Sequence, residues 1–205
     1  MGADKLALPF GKSTIGSSAL KQALQADIDH IFVVVKAGHL PQWLDSKLFL
    51  EPFKGKWTAV VCEEAEMGQA HSLRCGLHAA EQIKLGGIMV LLADQPLLKT
   101  ETINHLVKSY RDLRRADQEL AFLAACHQGI PRPPILFAPL AFPLLYELKG
   151  DTGARKLLRE NRLKGKWIKC ENERDFYDID TLEDYQKLKG AGISHGESVG
   201  PPLYP

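Results

Sequence analysis

The sequence is poor in cysteine. Its four cysteines, Cys62, Cys75, Cys126 and Cys170, lie far apart in 205 residues, and none forms a C-x-x-C pair. This spacing excludes the dense disulfide framework of small secreted domains and is typical of reduced thiols. No basic segment followed by an apolar one opens the chain, so we expect no secretion and a cytoplasmic location.

Long apolar runs and an excess of one charge are also missing. No apolar run approaches the roughly 20 residues that cross a bilayer. The chain carries 26 Lys and Arg against 25 Asp and Glu, a formal net charge of +1, without a basic block. We therefore expect neither a membrane nor a nucleic acid as partner. The length suits one domain over residues 1–189, followed by a flexible tail over residues 190–205 that is rich in Gly, Pro and Ser.

Short apolar runs alternate with helical patterns. Strands are predicted at residues 29–35, 57–62 and 86–94, and more weakly at 119–127 and 166–171. Helical patterns begin at Ser17, Ser72, Thr100, Pro139, Thr152 and Thr181. The alternation predicts an α/β fold, a three-layer α/β/α sandwich around a mostly parallel, Rossmann-like sheet. Only a loop precedes the first helix, so the strand that normally opens such a sheet is expected to be missing.

Carboxylates follow the central strand and recur near the end of the chain. Asp94 ends the strongest apolar run, where ligands bind in open α/β sheets. It is either a ligand for Mg²⁺ or a strand-end turn residue. Asp178 and Asp180 alternate, so they share one face of an extended segment. Asp180 also opens an Asp-Thr-Leu-Glu sequence that resembles a helix-capping box, and capping and metal binding are compatible.

Two glycine-containing segments precede predicted helices. Gly68 allows the backbone to approach a ligand closely, and Ser72 either caps a helix or contacts a nucleotide. Asp151 stands between two glycines, and Arg155 follows it, as expected where backbone amides and a guanidinium hold a phosphate. The alternative for the second segment is an N-cap aspartate with a solvated arginine.

One pattern suggests a metal but fits poorly. His71, Cys75 and His78 share a helical face, as zinc ligands can. Their spacing matches no established zinc motif, and a fourth ligand would have to come from elsewhere. We find no Ser/His/Asp order and no reactive-cysteine context that indicates covalent catalysis.

The order of five segments is more specific than any one of them. Residues 1–15, 67–77, 90–98, 148–158 and 177–185 (MGADKLALPFGKSTI, MGQAHSLRCGL, VLLADQPLL, LKGDTGARKLL, YDIDTLEDY) resemble the MobA-like nucleotidyltransferase family. The GDTGAR segment points to its molybdenum cofactor cytidylyltransferase branch. The resemblance extends to about residue 189 and implies the α/β nucleotidyltransferase fold.

The family opens with a strand and the loop L-A-A-G-x-S-x-R-M-G-x-x-K, which cradles a nucleotide triphosphate. Met1, Gly2 and Lys5 match the last three fixed positions of that loop. The strand and the rest of the loop have no counterpart here. We therefore expect that they lie upstream of Met1; the alternative is a chain that has lost the cradle.

The resemblance implies transfer of CMP from CTP to the phosphate of a molybdopterin-type cofactor, with release of pyrophosphate. It implies that Lys5 and Asp94 are catalytic and that Asp94 and Asp180 bind Mg²⁺, with Asp178 as the weaker candidate. The implied nucleotide-binding residues are Gly2, Lys5, Gly68, Ser72 and Asp94. The implied acceptor-binding residues are Asp151 and Arg155. The implied partner is apo xanthine dehydrogenase or a cofactor chaperone. Two alternatives stay open: a non-enzymatic cofactor carrier, and a nucleotidyltransferase of this fold with another phosphate acceptor.

Overall fold

The computed structural model describes residues 4–38, 41–83, 86–159 and 162–190. Its strands are Pro9–Phe10 (β1), Ser13–Thr14 (β2), Ile31–Lys36 (β3), Trp57–Cys62 (β4), Ile88–Val90 (β5), Phe122–His127 (β6), Ile130–Phe137 (β7) and Gly165–Lys169 (β8). Its α-helices are Ile15–Leu24 (α1), Gln69–Ala80 (α2), Thr100–Ala116 (α3), Phe142–Glu147 (α4) and Leu182–Gly190 (α5). Short 3-10 helices include Lys5–Ala7 and Ala154–Arg159. Beyond residue 190, the expected tail lies outside the described residues.

The longer strands form two sheets. β3 and β4 pair in parallel, and the second sheet has the order β5-β7-β6-β8. In that sheet β6 and β8 are parallel, whereas β7 is antiparallel to both β5 and β6. The antiparallel pairing arises because β7 follows β6 through a two-residue turn, Gln128-Gly129, in which both residues have positive φ.

Both sheets lie in one layer between two layers of helices. On one side, Ala23 of α1 and Ile103 of α3 pack with Ile31 of β3 and Met89 of β5. On the other, α2 and α4 pack with β5, and α2 also lies against β3 and β4. This arrangement confirms the predicted α/β fold. The sheets are mixed and not mostly parallel, because β7 returns antiparallel after its tight turn from β6. In the described ranges, β3 and β5 each have one edge without a hydrogen-bonded strand.

Most predicted elements occur, with shifted bounds. α2 begins at Gln69, three residues before the predicted start at Ser72, and the pattern from Thr152 forms a 3-10 helix at Ala154–Arg159. β7 was not predicted, because its three prolines disfavour a strand. Among the described helices, none is both long and apolar enough to cross a membrane.

The cap of α5 differs from the predicted capping box by one residue. The Asp184 carboxylate accepts bonds from the Thr181 amide (2.9 Å) and the Thr181 hydroxyl (2.7 Å). The Asp184 amide in turn donates to the Thr181 hydroxyl at 3.1 Å. The box is therefore Thr181 with Asp184, and the prediction that Asp180 and Glu183 form it is wrong. The shift leaves the Asp180 carboxylate available for other contacts.

Replacing the cap should weaken the attachment of α5. We expect Thr181→Ala to lower the melting temperature by about 2–4 °C, because the first turn loses its reciprocal side-chain bonds. Glu183→Ala is the matched control, since Glu183 pairs with the exposed Lys187 on the same helix. Thermal unfolding followed by circular dichroism measures both; an equal loss in the two variants would contradict the assigned cap.

Candidate active site

Three residues from distant parts of the sequence meet at the carboxyl end of β5. The Lys5 ammonium lies 2.7 Å from Oδ2 of Asp94 and 2.9 Å from Oδ1 of Asp180. Lys5 is in a 3-10 helix, Asp94 follows β5, and Asp180 directly precedes Thr181 and α5. The Asp94 side chain is 20% exposed and that of Asp180 68%, so the group opens to solvent on the Asp180 side.

Lys5 stays charged in this setting. Burial alone would lower the pKa of Lys5, but the hydrogen bonds and charges of Asp94 and Asp180 outweigh it and raise that pKa above its usual value. The stabilisation from these ion pairs is therefore fully present at neutral pH. On the alkaline side, this stabilisation is lost as the pH rises through the raised lysine pKa.

The segment that carries Asp180 is tied to the end of β5. The Ile179 amide donates to the Asp94 carbonyl at 3.1 Å, and the Gln95 amide nitrogen donates to the Asp178 carboxylate at 2.7 Å. Ile179 is fully buried, whereas the Asp178 carboxylate on one side of it bonds to Gln95 and the Asp180 carboxylate on the other bonds to Lys5. The prediction that Asp178 and Asp180 share a face therefore agrees with this geometry.

Asp178 titrates differently from an isolated aspartate. The surrounding protein desolvates its carboxylate and raises its pKa, the Gln95 hydrogen bond opposes this, and the nearby charges of Asp94 and Asp180 raise it further. Ionised Asp178 thus costs stability at neutral pH, and the cost disappears as the pH falls through its raised pKa. Such a crowded set of carboxylates indicates a place for a cation.

The donor set fits a divalent cation in part. Oxygens of Asp94 and Asp180 already converge on one cationic nitrogen, and Mg²⁺ commonly takes one or two carboxylates together with water and phosphate oxygens. No group of three or more His, Cys, Asp or Glu with metal-binding geometry occurs within the described ranges. A metal here would therefore need ligands from its substrate, and Lys5 would have to leave the carboxylates.

The start of α2 is fixed to the loop before Ala154. Gly68 has φ 117° and ψ 171°, and a Cβ there would lie 2.3 Å from the Gly150 carbonyl carbon. The Ala70 amide donates to the Gly150 carbonyl at 3.1 Å. The close approach predicted for Gly68 thus occurs against the protein's own backbone.

Two sequence interpretations of these segments are corrected. Ser72 does not cap α2, because the helix starts at Gln69 and Gly68 is its N-cap. Asp151 does not cap the helix that follows it; its carboxylate accepts a long bond, 3.4 Å, from the Gln69 amide. The nucleotide role of Gly68 and Ser72 and the acceptor role of Asp151 stay predictions, and Gly2 lies outside the described residues.

The suggested zinc face has other contacts. Nδ1 of His71 lies 2.8 Å from a Glu64 carboxylate oxygen and 3.0 Å from a guanidinium nitrogen of Arg74. His78 is exposed in the last turn of α2. His71 therefore takes part in a surface network around the start of α2.

Sequence reasoning missed Gln95 and Arg132 at this edge. Gln95 is only 1% exposed and links the β5 end to Asp178. Arg132 lies near the start of β7, whose antiparallel direction brings that end to the carboxyl end of β5. Its only signal in the sequence was a charged residue inside a proline-rich apolar run, 130–137.

Solved structures of low sequence identity share this fold. The structure of Rv0371c from Mycobacterium tuberculosis aligns with a TM-score of 0.69 at 21% identity, covering 92% of this chain and 90% of that chain. Molybdopterin-guanine dinucleotide biosynthesis protein A from Archaeoglobus fulgidus aligns with a TM-score of 0.62 at 17% identity, covering 93% and 91%. These structural similarities show that the protein has the α/β fold of nucleotidyltransferases.

Sequence comparison then gives the family. Residues 1–165 match the MobA-like NTP transferase domain, and the chain belongs to that family. It is 37% identical over 193 residues to purine catabolism protein PucB of Bacillus subtilis, covering 93% of this chain and 90% of PucB. It is 28% identical to nicotine blue oxidoreductase of Paenarthrobacter nicotinovorans, covering 90% and 87%. Family membership supports nucleotidyl transfer as the class of reaction.

Adding a methyl group at Gly68 should disrupt the contact between α2 and the Gly150 loop. We expect Gly68→Ala to lower the free energy of unfolding by about 1–3 kcal/mol, since the new carbon meets backbone and the φ is positive. Gly86→Ala is the control, because a Cβ there meets no atom within 4 Å. Urea denaturation monitored by fluorescence measures the difference, and equal stability of the two variants would refute the packing role.

Removing the Lys5 ammonium should leave the carboxylates of Asp94 and Asp180 free to bind a divalent cation. We expect Lys5→Met to melt about 2–4 °C below wild type without metal and to be stabilised by Mg²⁺ more than wild type is. The exposed Lys54→Met serves as control. Thermal shift with and without MgCl₂ tests this, and an equal Mg²⁺ effect on all three proteins would argue against the site.

Proposed function

We propose that this protein transfers CMP from CTP to the phosphate of the molybdenum (molybdopterin) cofactor. The observation that carries the proposal is the convergence of Lys5, Asp94 and Asp180 at the sheet edge, in a chain of the MobA-like family. Such a group supplies the charges that hold and neutralise phosphate groups. That suits nucleotidyl transfer, which depends on alignment and charge neutralisation rather than on covalent catalysis.

In the proposed reaction, an oxygen of the acceptor phosphate attacks the α-phosphorus of CTP. The bond from the α-phosphorus to the bridging oxygen breaks, and its electron pair leaves with pyrophosphate. Lys5, released from its carboxylates, neutralises the β- and γ-phosphates as they depart. A lysine with an ordinary pKa is already protonated at physiological pH, so the released ammonium stays charged beside the phosphates.

Asp94 and Asp180 are the residues that would hold Mg²⁺, with Asp178 next to them. When bound, the metal supplies charge neutralisation on the triphosphate. Gly2, Gly68 and Ser72 are proposed around the nucleotide, and Asp151 and Arg155 around the acceptor. These roles follow the family resemblance.

The biological setting is proposed from the relatives. PucB, 37% identical, is named for purine catabolism, which supports a role in preparing the cofactor of xanthine dehydrogenase, a purine-oxidising enzyme. Apo xanthine dehydrogenase or a cofactor chaperone would then take the product. A cytoplasmic site of action fits that substrate supply.

Asp94→Asn tests the proposal with little change in volume. We expect kcat for pyrophosphate release, measured with CTP and the molybdenum cofactor, to fall about 100-fold or more. Asp27→Asn is the control, because Asp27 pairs with Arg111 on the far surface. Full activity in Asp94→Asn would overturn the assigned centre.

The same assay separates the alternatives. Wild-type protein that binds the cofactor but releases no pyrophosphate from CTP or GTP would be a carrier. Turnover only with another phosphate acceptor would identify a different nucleotidyltransferase. Either result would overturn the cytidylyltransferase proposal.

A further inference from the structure

Four buried polar atoms near the carboxyl ends of the strands have no hydrogen-bond partner within the described ranges. They are Oε1 of Gln95, Nε2 of His127, and the Nε atoms of Arg132 and Arg155. Buried polar atoms are nearly always satisfied in folded proteins, so a group of unpaired atoms marks a place for ordered water or a ligand. Two of the four belong to guanidinium groups, which are donors only.

The two arginines approach the same region from different elements. Arg132 is the third residue of β7, opposite Ala125 of β6. Arg155 is on the 3-10 helix Ala154–Arg159, which packs against β7. The two arginines are therefore on neighbouring elements, and the charge of Arg132 acts on Arg155.

An aromatic platform holds Arg132. Its guanidinium carbon lies 5.9 Å from the centroid of the Phe176 ring, and the His127 ring stacks on that same ring at 5.5 Å. Phe176 is only 3% exposed, so the platform is rigid. A guanidinium that stacks on a ring still directs its N–H groups outward in the plane of the fork.

Among the described residues, the carboxylates balance the charges of these arginines only in part. Burial lowers the pKa of Arg155, the neighbouring charges of Arg159 and Arg132 lower it further, and Asp178 only partly opposes them. Within the described ranges, no carboxylate forms a salt bridge with Arg132 or Arg155. Like charges held together under partial burial require a compensating anion.

The cluster lies at the same sheet edge as the candidate active site. The start of β7, which carries Arg132, extends past the carboxyl end of β5, because the two strands are antiparallel. At that end of β5, buried Gln95 follows Asp94 and donates to the Asp178 carboxylate. An anion bound to the two arginines would be adjacent to the reacting phosphates.

We propose that Arg132 and Arg155 form the subsite that binds the phosphate monoester of the acceptor, an inference that rests on the proposed function. Two guanidinium forks match the three terminal oxygens of a phosphate dianion better than the two of a carboxylate. Their charge offsets the repulsion between this dianion and the triphosphate. They act as positioning residues: the attacking oxygen comes from the acceptor, and the electron pair of the broken bond leaves with pyrophosphate.

Steady-state kinetics on the full chain tests the subsite. We expect Arg132→Gln and Arg155→Gln each to raise KM for the acceptor about tenfold or more while KM for CTP changes less than about twofold. Arg155→Lys should recover part of the loss. Arg115→Gln is the matched control, since Arg115 is 80% exposed on α3 and lies 3.8 Å from Asp112. Equal increases in both KM values, or no increase, would overturn the subsite.

A binding measurement separates this inference from the proposed function. Inorganic phosphate is titrated calorimetrically into wild type, the double variant Arg132→Gln/Arg155→Gln, and Lys5→Met, after circular dichroism confirms that each is folded. We expect phosphate binding to weaken about tenfold in the double variant and to persist in Lys5→Met. If phosphate binding depends on the two arginines but the protein catalyses no nucleotidyl transfer, the proposed function is wrong and the anion site stands. If the protein catalyses the transfer but the two arginine substitutions leave phosphate binding unchanged, the subsite is wrong and the proposed function stands.

Discussion

Two carboxylates that repel each other are held within reach of one cation, and the arrangement of the site depends on this constraint. Asp94 and Asp180 are 86 positions apart in sequence, yet each has an oxygen within 3 Å of the Lys5 ammonium. Without a cation between them, their charges would push the segment of Asp180 away from the end of β5. The ammonium is thus a structural substitute for the charge that a substrate-bound cation would bring.

The fold also holds the carboxylates in place by contacts other than the ion pairs with Lys5. The Ile179 amide bonds to the Asp94 carbonyl, and the side chain of Ile179 is buried behind it. Gln95, almost fully buried, connects the same turn to Asp178. These contacts fix the carboxylates from behind, so their acidic groups remain on the open side of the sheet edge.

Two kinds of ionic group lie along this edge in separate places. Lys5 pairs with two carboxylates, whereas neither Arg132 nor Arg155 forms a salt bridge with a carboxylate in the described ranges. Such segregation creates one place suited to a cation and one suited to an anion, side by side. A transfer reaction between a triphosphate and a phosphate acceptor needs both, because charge repulsion between the two substrates opposes their approach.

The sequence by itself determined the fold class and the positions of Asp94, Asp178 and Asp180, because buried strands are continuous apolar runs and ligand groups follow their carboxyl ends. It did not determine the cap of α5, since Asp180-x-x-Glu183 and Thr181-x-x-Asp184 satisfy the same pattern. Only the tertiary structure decided that choice. It also decided the antiparallel direction of β7, a strand whose prolines disfavour a strand prediction, and hence the position of Arg132. These outcomes depend on contacts between distant segments, whose energies outweigh the local preferences that a sequence pattern records.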